Sequence, residues 1–284
     1  MLTSPRPLAY LVIAMIFMVS TVPFFCSRSD YSPTLLRDTP PSWKHLFGTD
    51  TSGRDLLYRV LTGAQISLFV GLSGATISIF IGTLYGMIAG YLGGWWDMIM
   101  MRLLDILYSI PRLIFVLIFI SIFNTRLQEI ANQLHFSWLI PSSRIMILVL
   151  TLGFIEWLTV ARIIRGQVLS LKQCNYIAAA RVLGERSLTL LWNHFLPNLL
   201  GFLLVYMTLA TPAVIIDEAF LSFLGFGIQA PEASLGSLLA EGTASINPLH
   251  GDWWILLFPA ITLFLILLIL HQFGRSLRAA ESCR

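Results

Sequence analysis

The chain has 284 residues, 56% hydrophobic and only 12% charged. A soluble domain of this size carries about a quarter charged residues, so composition excludes one and assigns an all-α integral membrane protein, a single domain over 1–284. The formal net charge of +3, with 18 Lys and Arg scattered along the chain, is too small to argue for nucleic acid.

The first apolar run, Leu8 to Phe25, is about long enough to span a bilayer at 1.5 Å per residue. Arg6 precedes it as in a signal peptide. The sequence Pro23-Phe24-Phe25-Cys26 is too bulky for a small-x-small cleavage site, so residues 8–26 are expected to remain as a first span. Residues 27–60 hold Pro33, Pro40, Pro41 and Gly48 and read as an outer loop with little regular structure. Within it, Asp50 and Asp55 can neutralise Arg54 and Arg59 near a membrane surface.

Five further spans are expected within 66–273. Ile66 to Tyr91 is the second. Its Gly82, Gly86 and Gly90 form a small-residue ridge that lets helix backbones approach closely. The ridge fits packing within the chain or a contact between subunits. Gly93-Gly94 ends that helix, and Asp97, Arg102 and Asp105 follow at spacings that allow pairing along one helix. Pro111 is expected to kink the third span, which continues to Phe123, its freed carbonyl finding another partner. Asn124 to Ser143 reads as an amphipathic outer loop. The fourth span, Ile145 to Ile163, encloses Glu156, which is costly against lipid. It is either paired with Arg162 or solvated near the helix end, or it faces a translocation path. The fifth span runs from Asn198 to about Ile216 and ends at Asp217-Glu218. The segment Leu221 to Gly227 is then expected to be re-entrant or interfacial, being far shorter than roughly 17 residues. Trp253 and Trp254 suit interfacial anchoring before a sixth span, Ile255 to Leu270.

The polar island Leu169 to Pro197, residues 169–197, interrupts this pattern. Asn175 can cap a helix over Tyr176 to Leu183, placing Ala178 at the third helical position, and Gly184 supplies the left-handed stop. Tyr176, Ala179, Ala180 and Leu183 then share one face, bulky at both ends and small in the middle, suited to a groove on another protein. Ser187 can cap a second short helix, closed by Pro197. An ordinary connecting helix between spans has the same shape.

Some chemistry is absent. Lys44 and Lys172 are the two lysines and neither follows Gly, so no Walker A loop exists. No HExxH and no GxSxG occurs, and Cys26, Cys174 and Cys283 lie far apart with no CxxC spacing. Neither a metal site nor a bound cofactor is indicated.

Taken in order, the strings FGTDTSGRD (47–55), AGYLGGWWDMIMMRLLDILYSIP (89–111), Ala178-Ala179-Ala180 with Gly184 and Leu196-Pro197, LSFLGFG (221–227) and Phe273-Gly274-Arg275 resemble permease subunits of ABC importers. The Gly-to-Pro spacing fits the dipeptide, oligopeptide and nickel branch, C type. Ala178 stands where that family usually has Glu. The resemblance implies a multi-pass protein of the bacterial inner membrane with about six helices. Its loop 169–197 would be cytoplasmic and its sites Tyr176, Ala178, Ala179, Ala180, Leu183, Gly184 and Pro197 would contact an ATPase. It also implies a second permease subunit, ATP-binding cassette ATPase subunits that hydrolyse ATP in place of this chain, an outside solute-binding protein and surrounding lipid. The alternatives are an ion-coupled secondary transporter, for which Glu156 is the one candidate ion group, and a membrane assembly subunit without transport.

Overall fold

A computed structural model describes residues 37–133, 139–230, 232–245 and 251–281. The expected first span, 8–26, lies outside them. The first described helix, α1 (Leu56–Leu92), starts where the Asp55 carboxylate accepts the Leu57 and Tyr58 backbone N–H groups at 2.9 and 3.3 Å. That is an N-cap. The helix therefore begins at Leu56, not at Ile66, and takes in the end of the expected loop. Arg59 looks like a loop residue in sequence, yet it is 3% exposed and ion-paired to Asp50 at 2.7 Å and to Glu241. Its charge is met by carboxylates inside the protein, so it does not stop the helix. Asp50 also accepts the Ser52 and Arg54 backbone N–H groups, which folds the loop back on itself. Phe47 stacks on Phe258 with ring centroids 4.0 Å apart, pinning the loop to the last helix. Replacing Asp55 by Ala removes the cap and the Asp55–His45 contact. A loss of about 1 kcal/mol is expected, read as a lowered thermal midpoint of the detergent-purified protein.

Gly93 (φ +67°) ends α1 and leads into α2 (Gly94–Ser109). α2 and α3 (Arg112–Gln133) meet at Ile110-Pro111 with a bend of 87° between Gly94–Ser109 and Arg112–Phe123. Pro111 thus breaks the expected third span instead of kinking it. α3 and α4 (Leu139–Leu171) extend into the segment expected as an outer loop. No Gly or Pro falls between Asn124 and Gln133, and polar residues alone do not end a helix.

α5 (Asn175–Val182) is the short helix of the polar island. After it, α6 (Ser187–Leu190), a π-turn over Leu191–Phe195 and α7 (Leu196–Phe223) run on as one 37-residue rod. Pro197 therefore sits inside a span and closes nothing. It lacks an N–H, and the widened turn just before it re-routes the backbone bonds that a proline would break. Asp217 and Glu218 do not end α7 either. Glu218 is fully buried and its carboxylate accepts the Ser67 and Ser222 hydroxyls at 2.7 Å each. The LSFLGFG segment is not re-entrant: Leu221 to Phe223 finish α7. The Gly225 N–H then bonds to Ser222 O and the Phe226 N–H to Leu221 O, with Gly225 at φ +83°. Both bonds are those of a Schellman stop. α8 (Leu235–Ser245), which sequence reading missed, packs against α7 and α9 (Trp253–Glu281).

Among the described residues four helices are long and apolar enough to cross a membrane, or five if the bent α2–α3 pair is one span. α1 and α4 form the most extensive contact, α7 covers another side of α1, and α8 and α9 pack onto α7. The glycine ridge lies in the first of these contacts. A Cβ on Gly82 would meet Val160 Cβ at 2.5 Å, one on Gly86 would meet Ala161 O at 2.5 Å, and one on Gly90 would meet Val168 Cβ at 2.9 Å. All three positions are spent on packing within the chain, against α4.

Candidate functional site

α5 is held between α4 and the start of the α6–α7 rod. Cys174, not Asn175, is its N-cap and makes no side-chain capping bond, so Asn175 is the first helical residue and Ala178 the fourth. A Glu at position 178 would not complete a capping box, whose acidic partner belongs at the third position. The C-terminus matches expectation. Gly184 has φ +82°, its N–H bonds to Arg181 O at 3.0 Å, and the Glu185 N–H bonds to Ala180 O at 3.2 Å. These are the two bonds of a Schellman motif, and only Gly takes that φ without strain.

The inward face of α5 is Ile177 and Ala180. Both are buried against Val168 of α4, Leu190, Leu191 and Phe195 of the rod, and Met87 of α1. Ala180 is therefore part of the seat and not of the outward face. The outward face carries Tyr176, Ala178 and Ala179, with Val182 88% and Leu183 87% exposed. Among the described residues nothing covers this apolar helix end, and an exposed apolar patch is a common mark of an interaction surface.

Charged groups clamp the seat. Lys172 donates to Gly90 O at 3.2 Å and Tyr91 O at 2.9 Å, satisfying two orphan carbonyls at the end of α1. Burial and the nearby Arg181 guanidinium lower the Lys172 pKa, with Asp97 pulling the other way. Arg181 itself lies over the Tyr91 ring at 5.4 Å. His194 Nε2 meets Glu185 Oε2 at 2.8 Å, tying the turn after α5 to the π-turn. Desolvation, and then Cys174, raise the pKa of the Tyr176 phenol, which stays neutral and presents a donor at the edge of the outward face.

A second set of polar side chains runs along α4. Glu156, Thr159, Arg162 and Arg165 recur every third residue, so each sits about 60° around the helix from the last and the series winds across half the circumference of α4. Their partners come from other helices, not from neighbours in sequence. Arg165 takes Asp97 through two nitrogens, the second at 2.6 Å. Arg162 takes Asp105 at 2.9 Å and lies over the Tyr108 ring at 4.6 Å. The expected Asp97–Arg102–Asp105 pairing along one helix is thus replaced by pairing across α2 and α4. Tyr108 OH and Thr159 Oγ1 are 2.6 Å apart. Glu156 pairs with Arg112, not Arg162, and the same Arg112 guanidinium reaches Asp217 of α7. Arg112 and Asp217 were missed in the sequence, where each looks like the polar end of a helix. The three-residue rhythm on α4 was the available signal.

Comparison with known proteins follows the same lines. The family described as binding-protein-dependent transport system inner membrane component matches residues 82–279. The oligopeptide transport system permease protein OppC of Bacillus subtilis is 37% identical over 272 residues, 95% of this chain and 82% of that protein. OppC of Escherichia coli strain K12 is 44% identical over 236 residues, 83% of this chain and 71% of that protein. The dipeptide transport system permease protein DppC of B. subtilis is 38% identical over 271 residues, 95% of this chain and 78% of that protein.

Proposed function

The chain belongs to the inner membrane components of binding-protein-dependent transport systems, and on that premise we propose that it is the permease subunit of a bacterial ATP-driven importer of di- or oligopeptides. It is a multi-pass membrane protein. The peptide cargo is supported by the names of the relatives it resembles over most of its length. The observation that carries the coupling role is α5: a short helix fixed to the bundle by Ile177 and Ala180 and open on its far side at Tyr176, Ala179, Val182 and Leu183.

Such a helix behaves as a lever. Its seat joins α1, α4 and the α6–α7 rod in one apolar cluster, so a push on its outward face reaches three long helices together. A packed contact of that kind moves as a unit. In this reading two ATPase subunits close on ATP, each bearing on the short helix of one permease subunit. The pathway between this chain and a second permease subunit then turns from one side of the membrane to the other, receiving peptide from a solute-binding protein outside.

Two measurements test this. The purified chain alone should hydrolyse ATP no faster than background, since it has no Gly-Lys-Ser/Thr for the phosphates. Reconstituted with ATPases, partner permease and binding protein, it should take up a dipeptide only when ATP is supplied. Uptake driven by a proton or sodium gradient without ATP would instead make it a secondary transporter.

A further inference from the structure

Arg112, Glu156 and Asp217 meet where α3, α4 and α7 converge, beside the bend at Pro111. Exposure rises from Glu156 at 7% through Asp217 at 24% to Arg112 at 42%, so the cluster is closed at one end and open at the other. Two carboxylates share a single guanidinium. Among the described residues, the other ionisable groups next to them are the Tyr108 and Tyr206 phenols, which bring no positive charge. The next cation along α4, Arg162, stands about 9 Å further down the axis and is engaged by Asp105. Among the described residues the cluster is one positive charge short. Within spanning helices an uncompensated charge is expensive and persists where it faces a water-filled path or a partner group.

A cavity of about 240 Å³ adjoins the cluster, with Tyr108, Arg112, Phe154, Glu156, Trp157 and Thr159 in its wall. Trp157 is 6% exposed, and its indole N–H has no hydrogen-bond partner among the described residues. A buried donor without an acceptor costs free energy until one is supplied. Among the described residues, what is lacking is therefore a cation for the two carboxylates, of which Glu156 lines the cavity and Asp217 reaches it through their shared Arg112, and an acceptor for the Trp157 indole N–H. The first residue of a peptide brings both, an α-ammonium and a carbonyl oxygen a few bonds away.

We propose that this cavity binds the amino-terminal end of the transported peptide, with the α-ammonium donating to Glu156 and Asp217 and the Trp157 N–H available to the first peptide carbonyl. Bound peptide makes the cluster neutral, two carboxylates against guanidinium and ammonium. Arg112 holds the carboxylates between passages and keeps the site from binding so tightly that release fails. The aromatic walls accept side chains of varied shape, which suits a path that must pass many sequences. This inference rests on the peptide-import reading and goes beyond it in naming the group recognised and the residues that recognise it.

The test uses the assembled transporter without its binding protein, so that the selectivity of that protein does not enter. Cys26, Cys174 and Cys283 are changed to Ser and Thr159→Cys serves as reporter in the cavity wall. Two probes label it: cationic 2-aminoethyl methanethiosulfonate and anionic 2-sulfonatoethyl methanethiosulfonate. After correction for intrinsic reactivity, the cationic probe should react about tenfold faster, and Glu156→Gln or Asp217→Asn should remove most of that bias. Dialanine should slow labelling severalfold, and N-acetyl-dialanine at the same concentration should not. Equal protection by the two peptides, no preference between the probes, or a reporter thiol that neither probe reaches would each overturn the proposal. Copurified ATPase reports assembly of every variant. If Glu156→Gln fails to assemble, Asp217→Asn at the open edge carries the charge arm, and the peptide comparison needs neither. ATP-driven dipeptide uptake by the unsubstituted importer is measured alongside: intact uptake with equal protection removes this site and leaves the import reading, whereas absent uptake removes the import reading itself.

Discussion

Gly86→Leu is expected to abolish recovery of folded, assembled protein. A Cβ at that position already meets Ala161 O at 2.5 Å, Ile164 Cβ at 2.9 Å and Arg165 N at 3.0 Å. Two of the three are backbone atoms of α4, which cannot rotate away as a side chain can. The larger residue fits only if α1 and α4 separate, and those helices share the most extensive contact in the molecule. Overpacking a close-packed core costs about 1–3 kcal/mol where side chains can shift, and more is expected here. Packing is also the main drive for helix association in lipid, where burial of apolar surface gives little. Gly86→Ala should already lower the thermal midpoint. Gly166→Ala is the matched control: that glycine lies on α4 with nothing within 4 Å of its would-be Cβ, and Ala favours a helix by up to about 1 kcal/mol. Fluorescence-detected size exclusion of the solubilised protein reads all three. A Gly86→Leu protein eluting at the parental position and yield would mean that the ridge tolerates separation.

The ridge was legible because spacing and residue size suffice to mark it, but its partner was not. Glycines at 82, 86 and 90 suit any close helix, and only the fold shows that Val160, Ala161 and Val168 oppose them. The charged residues show the reverse problem. Sequence reading pairs Asp97, Arg102 and Asp105 with one another because they are near in the chain. In the bundle, α2 lies beside α4, and the longer-range Asp97–Arg165 and Asp105–Arg162 pairs form instead. The same locality offered Arg162 as one partner for Glu156 and ended α7 at Asp217-Glu218. Both carboxylates of α7 are in fact answered from other helices, Asp217 by Arg112 and Glu218 by Ser67 of α1. A polar residue marks the end of a span only if nothing inside the protein can satisfy it, and one sequence cannot show whether anything does.

The short helix was legible at its stop and misleading in its face. Gly184 is fixed by a single backbone demand, a positive φ, that one residue can announce. The face depends on which of two apolar sides meets the bundle, and α5 is apolar on both, buried at Ile177 and Ala180 and exposed at Val182 and Leu183. With Tyr176, Ala179, Ala180 and Leu183 assigned together, Ala180 falls on the wrong side: it is 9% exposed where Leu183 is 87% exposed.

That difference sets the last expectation. Ala179→Trp should leave the fold intact, because Ala179 is exposed, and should cut ATPase capture by about tenfold or more, because an indole in the middle of the outward face holds a groove off Val182 and Leu183. Ala180→Trp should act otherwise: it overfills the cluster around Ile177, Leu190 and Phe195 and should lower yield and thermal midpoint before docking can be read. Gly184→Val also weakens docking without a clash, since nothing lies within 4 Å of its would-be Cβ. The cost is about 1–2 kcal/mol of left-handed strain that loosens the Schellman stop and lets the end bearing Leu183 fray. Ala178→Glu should keep docking or strengthen it slightly, by about 0.3–1 kcal/mol through the dipole of the first turn. No capping-box gain is expected, since residue 178 is the fourth helical position and Cys174 is the cap. Copurification of the ATPase at matched membrane levels of each variant separates these cases. If Ala179→Trp retains the ATPase while Ala178→Glu loses it, the partner grips the helix around Ala178, and the lever is pushed from the side nearer its N-terminus.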